Sequence, residues 1–370
     1  GGLYRVVHPR PVAAVSGRTL AVYLAPAGGG PPGRPGPGAA LPAATTSYRR
    51  WSQLLAEQAH APARLSELPL WEEVLRTPDP QLGYRPLDPF LDTADGTRTL
   101  TTQLPATWTK PLLTTVPGAF HAGVDDILLT ALALAVNARR DRRTRGLDPD
   151  TAVLLDLESH GREQLADHID LSRTVGWFTS LHPVRIDPGP LDVRDPARID
   201  AALVGRAVKR VKEQLRTVPD HGVGHGMLRH LNPATGPRLA APAPQIGFNY
   251  LGRYAAPGRA AAGDWEVLLD AGGPRSQDPG MAVHHVLDIN AHTEDLPDGP
   301  RLVARWTWPS DLLKEEDVGA LAEAFNRALR ALAEHAGQPG AGGYTPSDLP
   351  LVSLNQAQID RLQNKWGGRK

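Results

Sequence analysis

An apolar run too short for a membrane sits ahead of a second run of strand length. ILLTALALAV occupies 127–136 and TAVLLDL occupies 151–157. Spanning a bilayer takes about 20 apolar residues, so the first run reads as a core helix. Asp125 or Asp126 opens it, and the basic, polar stretch RRDRRTRGLDPD from Arg139 ends it. The second run holds four consecutive apolar residues between polar ends, the pattern of a short buried strand. Glu158 sits where that strand runs out.

The same interleaving continues along the chain. TTSYRRWSQLLAEQ, from Thr45, offers Thr46 or Ser47 as an N-cap and puts Trp51, Leu54, Leu55 and Gln58 at helical spacing. Ile199, Leu203, Val208, Val211 and Leu215 mark one face of a long helix whose other face carries Lys209, Arg210 and Lys212. QIGFNYLG at 245–252 is strand-like, as is RLVARWTW at 301–308, where Leu302, Ala304, Trp306 and Trp308 alternate. A last helix, near Val318 to His335, turns Leu321, Phe325, Leu329 and Leu332 inward. Interleaved strands and helices predict an α/β, layered architecture. PAGGGPPGRPGPGAALP, Pro26 to Pro42, has nothing to bury and reads as a flexible loop. At roughly 150 residues per domain, 370 residues make two lobes.

Charge and composition remove several function classes. Lys plus Arg and Asp plus Glu both number 40, so no global field points to nucleic acid or an acidic membrane. The absence of cysteine excludes disulfides, thiolate metal sites and a cysteine nucleophile, and fits an intracellular protein. GGLYRVVHPR at the start has no apolar core of the signal-peptide kind. The expectation is a soluble, cytoplasmic chain that reads as a fragment. No GxxxxGK loop, GxSxG elbow or HExxH helix occurs. HGVGHG at 221–226 follows a helix and the Pro219-Asp220 turn, which argues against a dinucleotide loop.

What remains is the dense segment from Leu157 to Ile186. SRTVGWFTSLHPVRID, Ser172 to Asp187, closely resembles the RTVGWFT signature of epimerization domains in nonribosomal peptide synthetases, members of the condensation-domain superfamily. LESHGRE at 157–163 resembles the family's EGHGRE with Ser159 in place of glycine. PDHGVGHG, Pro219 to Gly226, resembles PxxGxGYG with His225 for tyrosine, and FNYLG at 248–252 is intact. Weaker likenesses at 41–51, 124–133 and 345–362 extend the match over nearly the whole chain. HHVLDIN at 284–290 also lies along the match, but is not the family's HHxxxDG, because Asp288 comes one residue too early and its place in the chain is wrong. That motif instead aligns with VVHPRPVAAVSGRTL at 6–20: His8 matches its first histidine, Pro9 replaces the second and Ala13 replaces the aspartate.

The resemblance implies a chloramphenicol-acetyltransferase-like fold of two lobes around a tunnel. A carrier protein delivers an aminoacyl or peptidyl thioester into that tunnel on a phosphopantetheine arm, which belongs to the partner and not to this chain. Neighbouring synthetase domains are further implied partners, with no nucleic acid or membrane. The N-terminal lobe reads as incomplete: residues 1–115 as its remnant with the 26–42 loop, 116–343 as the C-terminal lobe and 344–370 as a linker or tail.

Inverting an α-carbon means removing a proton acidified by the thioester and returning one to the opposite face. In the family the second histidine and the first glutamate of EGHGRE are the candidate acid/base groups. Pro9 has no titratable side chain, which leaves Glu158 alone. Its plain alternative is a surface carboxylate at a strand end. Arg162 and Glu163 read as a structural ion pair or helix start, and His160 and His182 as loop or strand histidines with no metal-ligand spacing. Trp177, Phe178 and Thr179 follow as substrate-binding positions, with core packing the alternative for the two aromatics. Asn249 and Tyr250 are implied tunnel-facing groups, or strand residues with local partners.

The expected function is therefore an epimerization-type domain of peptide-antibiotic assembly with little or no activity, a pseudoenzyme. The alternative is a noncatalytic docking module that binds a carrier protein or recruits a tailoring enzyme. A peptide-bond-forming acyltransferase is the weakest reading, because it relies on the same lost histidine.

Overall fold

The computed structural model describes residues 3–6, 45–144, 151–190, 201–255, 265–268, 278–338 and 340–367. His8, Pro9, Ala13 and the 26–42 loop lie outside the described residues. The strands are β1 (Leu3–Val6), β2 (Thr97–Leu104), β3 (Val153–Ser159), β4 (Ser180–Ile186), β5 (Ile246–Ala255), β6 (Trp265–Leu268), β7 (Leu287–Leu296) and β8 (Gly299–Pro309). The α-helices are α1 (Tyr48–Gln58), α2 (Pro62–Leu65), α3 (Leu68–Leu75), α4 (Ala106–Leu113), α5 (Thr115–Phe120), α6 (Val124–Thr144), α7 (Ala201–Arg216), α8 (Val223–Gly226), α9 (Glu315–Ala336) and α10 (Gln356–Gly367). β1 pairs with β6, and the other six strands form one mixed sheet in the order β2-β8-β7-β5-β3-β4. Within it β3, β5 and β7 run parallel while β2, β8 and β4 run antiparallel to their neighbours.

Alternation decides which face of the sheet each residue meets. Val153 and Leu155, Ile246 and Phe248, Leu287 and Ile289, and Leu302, Ala304, Trp306 and Trp308 all join one core with α6, α7 and α9. The residues between them include Asp156, Glu158, Gly247, Asn249 and Asp288, so the opposite face carries the polar groups. α6 is apolar all round because it lies beneath the sheet with further helices against it: every residue from Asp126 to Asn137 is buried. Asp126 also fastens its start, its Oδ2 accepting from the Gly123 N–H at 2.7 Å. Ser47 is the N-cap of α1, its side chain accepting from Arg50 N–H at 3.1 Å. Among the described residues no single helix is long and apolar enough to cross a membrane.

On the basic face of α7 Arg210 is exposed, but Lys209 and Lys212 are covered. Lys212 is 1 % exposed, and its ammonium donates to both Asp348 oxygens at 2.7 Å and to the Phe120 carbonyl at 3.0 Å. Lys209 pairs with Asp360 at 3.2 Å. The segment from Thr345 to Asp360 thus covers Lys209 and Lys212 through charge pairs and packs the buried Ile359 beside them. Removing one partner of a buried ion pair costs about 3–5 kcal/mol because the other charge is left desolvated. Asp348→Ala is expected to lose stability in that range in urea unfolding. Lys212→Met, which removes the buried charge and keeps the apolar stem, is expected to lose clearly less.

Candidate functional site

The carboxyl end of β3 and the middle of the parallel strand β5 open onto a cavity of about 430 Å³, near the end at which open α/β sheets bind ligands. Glu158 and Ser159 from β3 line it together with Asn249 and Tyr250 from β5. The Glu158 carboxylate accepts a hydrogen bond from Asn249 Nδ2. Partial burial pushes the Glu158 carboxyl up from the ordinary carboxylate range, because desolvation disfavours its charged form. Tyr250 shares a hydrogen bond with Thr293 Oγ1 at 2.9 Å across to β7, and burial raises its phenol.

The segment after β3 closes back over its own neighbours. Gly161 has φ +64°, and a Cβ there would sit 1.7 Å from the Phe178 carbonyl oxygen, so only glycine lets the two motifs touch. Arg162 lies 4.1 Å over the Phe178 ring and donates to the Leu171 carbonyl at 2.6 Å. Phe178 is buried among Trp51, Leu54, Ile169 and Leu171. Tyr48 Oη donates to the Trp177 carbonyl at 2.8 Å, while the Trp177 side chain is exposed. Of the turn residues 177–179, only Thr179 is on the cavity wall. Phe178 serves as the anchor that fixes the RTVGWFT turn onto α1.

Histidines cluster on the other side. His160 and His221 reach the cavity and share Glu163, at 3.5 Å and 3.0 Å respectively. His182 borders the cavity yet is buried, edge-on to Trp71 at 6.1 Å between centroids. Its ring fills the space that a side chain at Gly222 (φ +81°) would take. His225 flanks the same Trp71 at 5.3 Å. Loss of solvation lowers His182 to about 3 and His225 to about 4.

Two further groups were not legible as site residues. Asp125, read from sequence only as a helix start, stands on the cavity wall, where loss of solvation and the adjacent Asp126 carboxylate push it up to about 6. Asp156 in β3 meets His285, whose Nε2 is 3.1 Å from Asp156 Oδ2 and whose Nδ1 is 2.6 Å from Asp288 Oδ1. Burial alone would lower His285, but the hydrogen bonds to Asp156 and Asp288 raise it to about 9. The sequence signs of this triad were HHVLDIN, set aside as a catalytic motif, and an aspartate inside an otherwise apolar strand.

The unfolded chain protonates His182 and His225 near the ordinary value of about 6.5, whereas the native rings stay neutral down to about 3 and 4. Between those limits the unfolded state binds more protons, so stability falls as the pH drops. Melting temperatures taken from about pH 7 to about pH 5 should decline. His182→Gln should flatten that decline, and an unchanged slope would show that these rings do not carry it.

A condensation-domain family model matches residues 36–348. A linear gramicidin synthase from Brevibacillus parabrevis is 34% identical over 333 residues, 87% of this chain and 6% of the relative. Chondramide synthase of Chondromyces crocatus is 35% identical over 340 residues, 89% of this chain and 8% of the relative. The chain therefore spans under a tenth of the length of these relatives. The crystal structure of the epimerization domain from the third module of tyrocidine synthetase B superposes with a TM-score of 0.66 at 30% identity, covering 80% of this chain and 61% of that one. With the family model spanning most of its length and an epimerization domain superposing on four-fifths of it, the chain belongs to the condensation-domain family.

Proposed function

We propose that the chain is an epimerization-type domain of a nonribosomal peptide synthetase in which the acid/base machinery is reduced to Glu158, leaving little or no activity. The observation that carries this reading is the pairing of Glu158 and Asn249 on the cavity wall, together with proline at position 9 and alanine at position 13. The substrate would be an L-aminoacyl or L-peptidyl thioester on the phosphopantetheine arm of a partner carrier protein. Glu158 would accept the α-proton, and the electron pair of the broken C–H bond would pass into the thioester as an enolate. Inversion then needs a proton returned to the opposite face. With Pro9 in the histidine's position, one carboxylate has to serve both faces, and a positioned general acid or base contributes about 10²–10⁴-fold to such a step.

The lost histidine also favours a second reading, a noncatalytic module that keeps the fold to bind a carrier protein or recruit a tailoring enzyme. Thr179 and Tyr250 on the cavity wall would then contact the arm without chemistry following. Trp177 is exposed and would meet the carrier rather than the reacting carbon.

The loss of activity is tested in heavy water. Carrier-bound L-aminoacyl and L-peptidyl thioesters are offered to the folded protein, and α-deuterium incorporation and D-isomer formation are followed against Glu158→Gln. The expected result is no incorporation above background. Incorporation abolished by Glu158→Gln would show that one base suffices and would overturn the inactivity. Carrier binding without incorporation is expected of the inactive domain and of the docking module alike, and recruitment of a tailoring enzyme is what would favour the docking module.

A further inference from the structure

Two strand-pair positions back from Glu158 and Asn249, side chains from distant parts of the chain converge on one point. Asp156 belongs to β3, while His284 and His285 stand just ahead of β7. Their ligand-capable atoms all lie within 4.8 Å of one another. Asp156 Oδ2 is 3.1 Å from His285 Nε2 and 3.8 Å from His284 Nε2. Donors about 2.0–2.1 Å from a tetrahedral ion stand about 3.3 Å apart. The two separations bracket that spacing.

We propose that Asp156, His284 and His285 bind a divalent transition metal of the zinc type, with Asp288 orienting His285. Asp288 Oδ1 lies 2.6 Å from His285 Nδ1, so Nδ1–H donates to Asp288 and Nε2 faces Asp156. This is the carboxylate–histidine–metal arrangement, in which the outer carboxylate fixes the tautomer and raises the ring's basicity. Binding exchanges the Nε2 proton, released to solvent, for the metal. A dication then faces two carboxylates, Asp156 and Asp288, and the local charge balances.

The surroundings fit such a site in two further ways. Asp156 and His285 have side chains 7% and 6% exposed, whereas His284 is 62% exposed. Two ligands are thus held by packing, and the third opens a path for the ion and for water in a fourth position. Gly247 pairs with Asp156 on one side and with Asp288 on the other. A Cβ at Gly247 would stand 2.4 Å from His285 Nδ1 and 2.6 Å from Asp288 Oδ1. The bare backbone of β5 therefore lets the Asp288–His285 pair lie across it and reach β3. Two imidazoles and one carboxylate suit zinc, cobalt or nickel over calcium or magnesium, which take oxygen ligands. The metal would tie the segment before β7 to β3, with no role in proton transfer at the cavity required.

The test uses the purified full chain, stripped with chelator and titrated with Zn²⁺ and Co²⁺. One equivalent should bind, Co²⁺ should show the visible absorption of a four-coordinate N/O site, and Zn²⁺ should raise the melting temperature. His284→Ala, at an exposed side chain, should leave the metal-free melting temperature in place and weaken Zn²⁺ binding at least tenfold. Asp288→Asn should weaken it about 10–100-fold. Absence of saturable one-to-one binding would overturn the proposal. So would binding unchanged in His284→Ala, which would assign the ion to other histidines such as His160 and His221.

Discussion

Strand β3 is clamped between an antiparallel neighbour, β4, and a parallel one, β5, and the candidate site depends on that clamp. Its alternate residues have opposite duties. Val153 and Leu155 are fully buried in the core beneath the sheet. Asp156 and Glu158 occupy the other phase of the pleat, which sets the height and direction at which each carboxylate emerges. A shift of one residue in register would exchange the two sets. The burial of Val153 and Leu155 in the core against α6 therefore aims Glu158 at the cavity and Asp156 at His285.

Much of this was legible because it is local. The all-round apolar run of α6, the Ser47 cap and the alternation of Leu302, Ala304, Trp306 and Trp308 are each set by neighbours within a few residues in sequence, and each appears where its period places it. LESHGRE and RTVGWFT were legible as motifs too. Their mutual dependence was not, since Gly161 is explained only by a carbonyl that lies beyond a 16-residue excursion. What stayed hidden involves partners far apart in the chain. Lys212 has the pattern of a solvated helix face until Asp348, 136 residues on, covers it. Asp156 meets a histidine 129 residues away. Helical period cannot distinguish a lysine facing water from one facing a buried carboxylate.

The HHVLDIN stretch illustrates a different limit. Measured against a catalytic pattern it fails by one residue, and that failure is correct, because His285 and Asp288 engage each other and Asp156 rather than the cavity. The spacing that disqualifies it as an acid/base motif is the i, i+3 spacing that lets the aspartate reach the imidazole just before β7 begins. A motif search asks what a pattern matches, whereas the fold decides what its side chains can touch.

The proposed loss of a second acid/base group and the retention of the fold are physically compatible, because they draw on separate sources. The described sheet is stabilised by apolar burial against α6, α7 and α9 and by buried pairs such as Lys212 with Asp348, and these partners all lie after residue 80. Arg162 on Phe178, Tyr48 on the Trp177 carbonyl and Gly161 under the turn likewise serve to shape the wall that holds Glu158. On the proposed reading, the chain keeps the cavity and the orientation of Glu158 without a second acid/base. A binding function draws on that wall, whereas inversion at carbon needs a base to remove the proton from one face and an acid to return one to the other. On the proposed reading, Pro9 and Ala13 withhold what inversion needs, while the described wall that binding would use is built from other residues.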